Sequence, residues 1–469
     1  MTKRTVLQLN ANPLNSVGGI QRVVCAWKRL FASKIIVFVV VACGVIFGLI
    51  FSIQRREIAR AHRLYAQARA EIQRDGLPLT VDSLVPFKVP DSQNAARFYL
   101  KVFADYRANP NWGGLEAAAL DFPNKPHSAL AHQAALDYMR ATEPEVKLIE
   151  KAVTFPYCDF HYEWKWVVAA SKPFYARFRQ LARLLYLDAY LLDNEGQPIQ
   201  ALDRLELAAK MAKQVVAEDP SENALLVSCA IYGIIHKEWL RIVQHHPNDP
   251  VVLQHALEVN HVIPRTFDLC WSIREEVYTA VALGNELRRH PKEAVELMQQ
   301  EGIAKSPAKI PWWKQLWERL IGRGAPIAEE MTPEQLDVVE ARALDYFHKV
   351  FGILKRSPQD MLQTKRALQQ LDNETDTRAK AAPSQYLIQQ IVTLSPFTYI
   401  TDHLFTHEIR WWARESLAQK WLYRCKYGVT PSDTKLLSLL KGMPPEVRDA
   451  LFPAPTHLDA RPKAISNTP

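Results

Sequence analysis

Asp159, His161, Glu163, Trp164 and Trp166 crowd into the segment YCDFHYEWKW, residues 157–166. Paired carboxylates beside tryptophans suit glycan cleavage, one acid held protonated by a raised pKa and the other ionised. The same residues also suit an extended segment that packs its aromatic rings into a helical core. The second reading is favoured, so no catalytic residue is assigned. His403 and His407 lie four apart within a helical pattern, flanked by Asp402 and Glu408. Two imidazoles on one helical face can share a metal, but the metalloprotease arrangement needs glutamate directly after the first histidine. Leu404 occupies that position, so a half-exposed face is expected and no metal ligand is assigned.

Other chemical signatures are missing. The chain has no phosphate-cradling G-x-x-x-x-G-K, no dinucleotide G-x-G-x-x-G and no nucleophile elbow G-x-S-x-G. No cofactor is expected, and the chain reads as a non-enzyme. Its six cysteines, Cys25, Cys43, Cys158, Cys229, Cys270 and Cys425, form neither a C-x-x-C pair nor a zinc spacing. Free thiols are the main reading for the last four, with one or two disulfides as the alternative in an oxidising compartment.

The elements that would carry these residues read as helices. Alternating β-branched runs between N-G or D-G turns do not occur, so the fold class is all-α. Phe174–Asp193 has a wide apolar face, and Asn194-Glu195-Gly196-Gln197-Pro198 turns the chain. The next helix, from Pro198, returns antiparallel to the first, and Asn223–Val243 is a third, mostly apolar helix. Gly196, Ala201, Leu205 and Ala208 resemble the small and apolar positions of a tetratricopeptide repeat, in a single copy without a 34-residue period. Thr80 and Asp91 are N-cap candidates, and Asn109–Gly114 is a loop that ends the helix after Asp91. Helical patterns return at Pro333–Arg356 and Gln385–Tyr427. The tryptophans Trp312, Trp313 and Trp317 share a helical face, for core packing or for docking on a bilayer.

Ile35–Ile53 is a run of nineteen residues without charge, amide or proline. At about 1.5 Å per residue it matches the roughly 30 Å of bilayer hydrocarbon, which predicts a transmembrane helix retained as a single-pass anchor. A helix continuing to Arg74 would form a stalk, with Ile58, Ala61, Tyr65, Ala68 and Ile72 along a coiled-coil seam. Gly44-x-x-x-Gly48 is the small-residue spacing that lets two such helices approach, so a homodimer through Gly44 and Gly48 is a candidate. Ile20–Ser33 fits a short interfacial helix or an unstructured basic tail.

Charge is uneven. Of the net +8, residues 1–34 carry +6 with no acid, and residues 54–74 carry +4, six arginines against Glu57 and Glu71. The remainder carries about −2. The basic excess therefore flanks the apolar run, where it would meet membrane lipid, and no nucleic-acid partner is expected. Basic flanks are nearly balanced across the run, and the lean is towards an N-terminus in the cytoplasm with the bulk of the chain outside.

Gly76, Pro78, Thr80, Val89, Pro90, Asp91, Asn94, Ala95 and Ala96 form a "G-x-P-x-T…VPD…NAA" pattern. This pattern and the helical hairpin at 178–212 resemble a family of bacterial single-pass envelope proteins of unknown function. Tyr423, Gly428, Pro431 and Leu436 echo that family's C-terminal element loosely, with a different spacing to the leucine. The resemblance implies an anchor and a helical ectodomain in the inner (cytoplasmic) membrane, and it carries no activity.

The expected organisation is a basic cytoplasmic tail at 1–34, a transmembrane helix at 35–53, a stalk at 54–74 and a helical domain at 75–301. A Pro/Gly/Trp-rich linker at 302–333, a C-terminal helical region at 334–452 and a disordered tail at 453–469 complete it. The expected role is a scaffold for an unidentified protein partner. The alternatives are an envelope glycan-acting enzyme using Asp159 and Glu163, and a scaffold facing the cytoplasm.

Overall fold

The computed structural model describes residues 15–84, 89–108, 112–161, 174–217, 221–290, 331–356, 361–381 and 397–452. Every regular element among them is helical, apart from one isolated bridge between Asn94 and Tyr157. By its contacts the chain divides into two compact units, Met1–Arg63 and Leu64–Pro469.

Helix α1, Asn15–Arg74, runs without interruption through the expected tail helix, apolar run and stalk. The expectation of a single-pass inner-membrane protein is nonetheless corrected. Among the described residues, no helix is long and apolar enough to cross a membrane. In the apolar run, side chains are described at Phe38 and from Val41 to Ile53. All of these but the half-buried Ala42 stand exposed, Phe38 at 74% and Phe47 at 72%.

The larger unit begins with the last turns of α1. Ala68 and Ile72 are buried, in one core cluster with Leu77, Ile273 and Leu344. The predicted seam is therefore used within the chain at these two positions. Gly76, at φ +73°, ends the helix, and the Leu77 amide donates to the Ile72 carbonyl at 3.1 Å.

Helices α2 (Val81–Leu84), α3 (Ala96–Ala108), α4 (Trp112–Leu120) and α5 (Ala129–Ala152) follow. Helix α4 starts inside the stretch expected to be a loop, which is shorter than its composition suggested. The cap expected at Asp91 is also displaced: Asp91 opens a 3-10 turn, and Asn94 Oδ1 accepts from the Ala96 amide at 3.0 Å.

The antiparallel trio is α6 (Phe174–Asn194), α7 (Pro198–Ala217) and α8 (Glu222–His245). Gly196 at φ +78° makes the first turn possible, and Ser221 Oγ caps α8 by accepting from the Ala224 amide at 3.1 Å. Helix α9 (Pro250–Val262) packs on α7, with Asp249 capping its start. Trp239 is fully buried and donates its indole N–H to the Ala256 carbonyl at 2.8 Å, fixing α8 to α9.

Helix α10 (Leu269–Arg289) packs on α11 (Pro333–Arg356), and α12 (Met361–Ala381) packs on α13 (Phe397–Tyr427). Helix α13 also lies against α8 and α9, joining the two core clusters. Two short helices, α14 (Asp433–Leu439) and α15 (Pro445–Leu451), pack on α13 through Trp412, Leu436 and Val447.

Candidate functional site

A cleft of about 720 Å³ opens between the α9–α10 connection, the end of α11, the start of α12, the middle of α13 and the link before α15. Phe267, Leu269, Leu354, Met361 and Met443 supply its apolar lining. Arg265, Asp268, Glu408 and Glu446 supply charge. Arg265 Nε lies 4.0 Å from Glu408, and Asp268 Oδ1 accepts from the Cys270 amide at 2.9 Å. Burial pushes the Glu408 carboxyl above its usual range, against the pull of Arg265. The Cys270 thiol is pushed up to about 11, chiefly by burial and then by Asp268, so it is a poor nucleophile. The arrangement can bind a mixed apolar and charged surface. Sequence reasoning missed it because five separate segments build it; only the turn-forming Pro264 and Gly442–Pro445 marked its edges.

In the acidic-aromatic segment, Asp159 is held by His161 and Asn94. Asp159 Oδ1 accepts from the His161 amide at 2.7 Å, and Oδ2 lies 3.0 Å from His161 Nδ1. Asn94 grips the same residue twice: its amide donates to the Asp159 carbonyl at 2.7 Å, and its oxygen accepts from the Asp159 amide at 3.0 Å. Phe160 stacks on Phe174 at 4.7 Å and on Phe103 at 6.3 Å. The NAA pattern and this segment thus brace each other. Glu163, Trp164 and Trp166 lie outside the described residues, as do Trp312, Trp313 and Trp317.

His403 and His407 part company. His403 is exposed, while His407 is buried and its Nε2 lies 2.8 Å from the Pro264 carbonyl. The expected half-exposed face is corrected for His407, because the α9–α10 connection covers it. Burial, aided by Arg414 and Arg410, lowers its pKa to about 4. No group of three or more His, Cys, Asp or Glu residues among the described ones could hold a metal ion.

Beneath His407 lies a buried cationic network. Arg414 is fully buried, donating from Nε to Asn260 Oδ1 at 2.7 Å, with Nη1 3.2 Å from His236 Nδ1. Among the described residues its Nη2 has no hydrogen-bond partner and no carboxylate acts on the group; burial and Arg410 bring its pKa down to about 9. His236 is lowered to about 3 by burial first, then by Arg414 and Arg410. Cys158 and Cys229 are buried and Cys270 half-buried, whereas Cys425 is exposed, and Cys229, Cys270 and Cys425 are free thiols. No family model, curated protein or solved structure matches the chain.

Proposed function

We propose that the chain is a helical scaffold that binds a segment of a partner protein in the cleft at the α9–α10 connection. The cleft carries this reading: its apolar wall is ringed by charge, and Met361 and Met443 offer adaptable contact surface. Asp268 and Glu446 exceed the single cation Arg265, itself facing Glu408, so the segment should carry a basic residue beside apolar ones. The α6–α7 hairpin serves as a tetratricopeptide-like support, its closeness permitted by Ala201 and Ala208, which are buried beside Leu205.

A photo-crosslinking residue placed at Met443 tests the reading, with one at exposed Leu130 as control. A discrete protein adduct from position 443, lost on Asp268→Lys and absent from position 130, is the expected result. Adducts of equal yield from both positions, or none from 443, would refute it.

A second reading concerns α1. Phe47, Ile50 and Phe51 are exposed, and a Cβ added at Gly44 or Gly48 would meet nothing within 4 Å. A second copy of the chain, approaching along the two glycines, would cover that surface.

A further inference from the structure

Cations from three helices converge on a second cavity, of about 440 Å³, and none of them has an ion-pair partner among the described residues. Arg183 comes from α6, Lys237 from α8 and Arg410 from α13. Spacing places them: Arg183 and Tyr186 are three apart on one face of α6, and Gly233 and Lys237 are four apart on one face of α8. Arg410 reaches in because Gly233 has no side chain; a Cβ there would sit 3.1 Å from Arg410 Nη1. Leu120, Pro123 and Ile234 give the cavity an apolar side.

No acid appears in this lining. Glu116 acts with Arg183 from outside it; burial raises its pKa, and Arg183 and Arg177 oppose that rise. Glu238, next to Lys237, is committed to Arg241. One helical turn past Arg410 stands Arg414, fully buried, with its unpartnered Nη2 and no facing carboxylate. Arg183, Lys237 and Arg410 are themselves exposed, so the cavity opens to solvent, and among the described residues none of the three is in an ion pair with a carboxylate.

We propose that this cavity binds a small organic oxyanion of charge two or more. Guanidinium forks and a lysine ammonium are the side chains that hold phosphate or carboxylate oxygens. The volume exceeds that of a bare inorganic ion, and the apolar side accommodates the organic part. A phosphorylated metabolite and a polycarboxylate share this chemistry.

Calorimetric titration of the full chain with inorganic phosphate, pyrophosphate and citrate tests the site. Pyrophosphate or citrate is expected to bind at one per chain, and Arg410→Gln and Lys237→Gln should each weaken it by about tenfold or more. Ala230→Trp, which fills the cavity from an exposed wall position without changing charge, should abolish binding. Arg140→Gln, at an exposed arginine paired with Asp137 on α5, should change nothing. Tighter pyrophosphate identifies a phosphoryl ligand, and tighter citrate a carboxylate one. Absence of saturable binding by all three anions, full affinity in Ala230→Trp, or an equal loss in Arg140→Gln overturns the proposal; thermal melts establish that each variant is folded.

Discussion

Gly284 on α10 lies under a buried carboxylate, and replacing it with alanine should reverse the usual effect of that exchange. Alanine in a helix interior is ordinarily favoured over glycine by about 1 kcal/mol. Here the added Cβ would sit 2.4 Å from Glu340 Oε2, against 3.4 Å or more for ordinary contact. The carboxylate must retreat by about 1 Å. It has no free direction: Glu340 is completely buried, Arg288 Nη1 holds Oε2 at 2.6 Å, and Arg69 Nη1 lies 3.3 Å from Oε1. A 2.6 Å hydrogen bond stretched by about 1 Å is no longer one.

Overpacking costs about 1–3 kcal/mol and disruption of a buried ion pair up to about 3–5, so a partial displacement should cost about 2–4. Subtracting the helix gain leaves Gly284→Ala destabilising by about 1–3 kcal/mol. In a Glu340→Ala background the obstacle is gone, and Arg288 keeps Asp337 at 2.8 Å. There the same exchange should stabilise by about 0.5–1 kcal/mol. Hydrogen exchange of peptides from α10 and α11 reads the local stability directly. Faster exchange in Gly284→Ala, and slower exchange when it is added to Glu340→Ala, is the expected pair of results. Protection that rises in the single variant, or an equal loss in both backgrounds, would refute the close-approach argument.

Glu222, at the start of α8, is pushed up to about 8 by burial and by Glu275, and among the described residues its Oε1 has no hydrogen-bond partner. The folded chain then holds a proton there that the unfolded chain releases near 4.5, so this group makes stability fall as pH rises from about 4.5 to 8. Glu222→Gln should raise the unfolding free energy from urea titration near neutral pH by roughly 1–3 kcal/mol and leave it almost unchanged near pH 4; a uniform shift would contradict the assignment. His407 and His236 act in the opposite sense. Their folded values, about 4 and about 3, lie below the unfolded 6.5, so they contribute stability above that value that is lost as pH falls through it. Urea midpoints measured from pH 7 to 4 should drop in the parent chain and flatten in His236→Gln/His407→Gln; parallel profiles would count against buried neutral imidazoles. For α1, sedimentation should show a dimer that Gly44→Leu/Gly48→Leu returns to monomer, and a parent chain that sediments as a monomer would remove the second-copy reading.

What the sequence displayed was local. Gly196 and Pro198 announce the α6–α7 turn, and the period of apolar residues places α6, α7, α8 and α11 closely, because caps and helical faces depend on neighbours three or four residues away. Periodicity also found Ala68 and Ile72, but not what they face: a coiled-coil stripe and a stripe buried on α10 and α11 have the same spacing. His407 looked half-exposed for a similar reason, since its cover is the Pro264 carbonyl, far away in sequence. The apolar run was legible as composition, but among the described residues no helix is long and apolar enough to cross a membrane. The cleft and the cationic cavity each draw on distant segments, and arginines on a helix read as solvated until the fold shows what surrounds them.

Two buried charge networks in the larger unit differ in one respect, and the difference separates architecture from function. Around Glu340 the account closes: one carboxylate meets Arg288 and Arg69, Arg288 also meets Asp337, and the result ties the end of α1 to α10 and α11. Around Arg414 it stays open, because Asn260 and His236 are neutral partners and Arg410, one turn away, adds charge of the same sign. Folding alone gives no reason to bury a guanidinium without an anion, since the desolvation cost of several kcal/mol is then uncompensated. An external anion in the cavity lined by Arg410 and Lys237 would add negative charge one helical turn from Arg414, so the proposal ties the stability of α8 and α13 to occupancy. Protection of those two helices should therefore rise with pyrophosphate or citrate, while that of α10 and α11, whose charges are already balanced, should not.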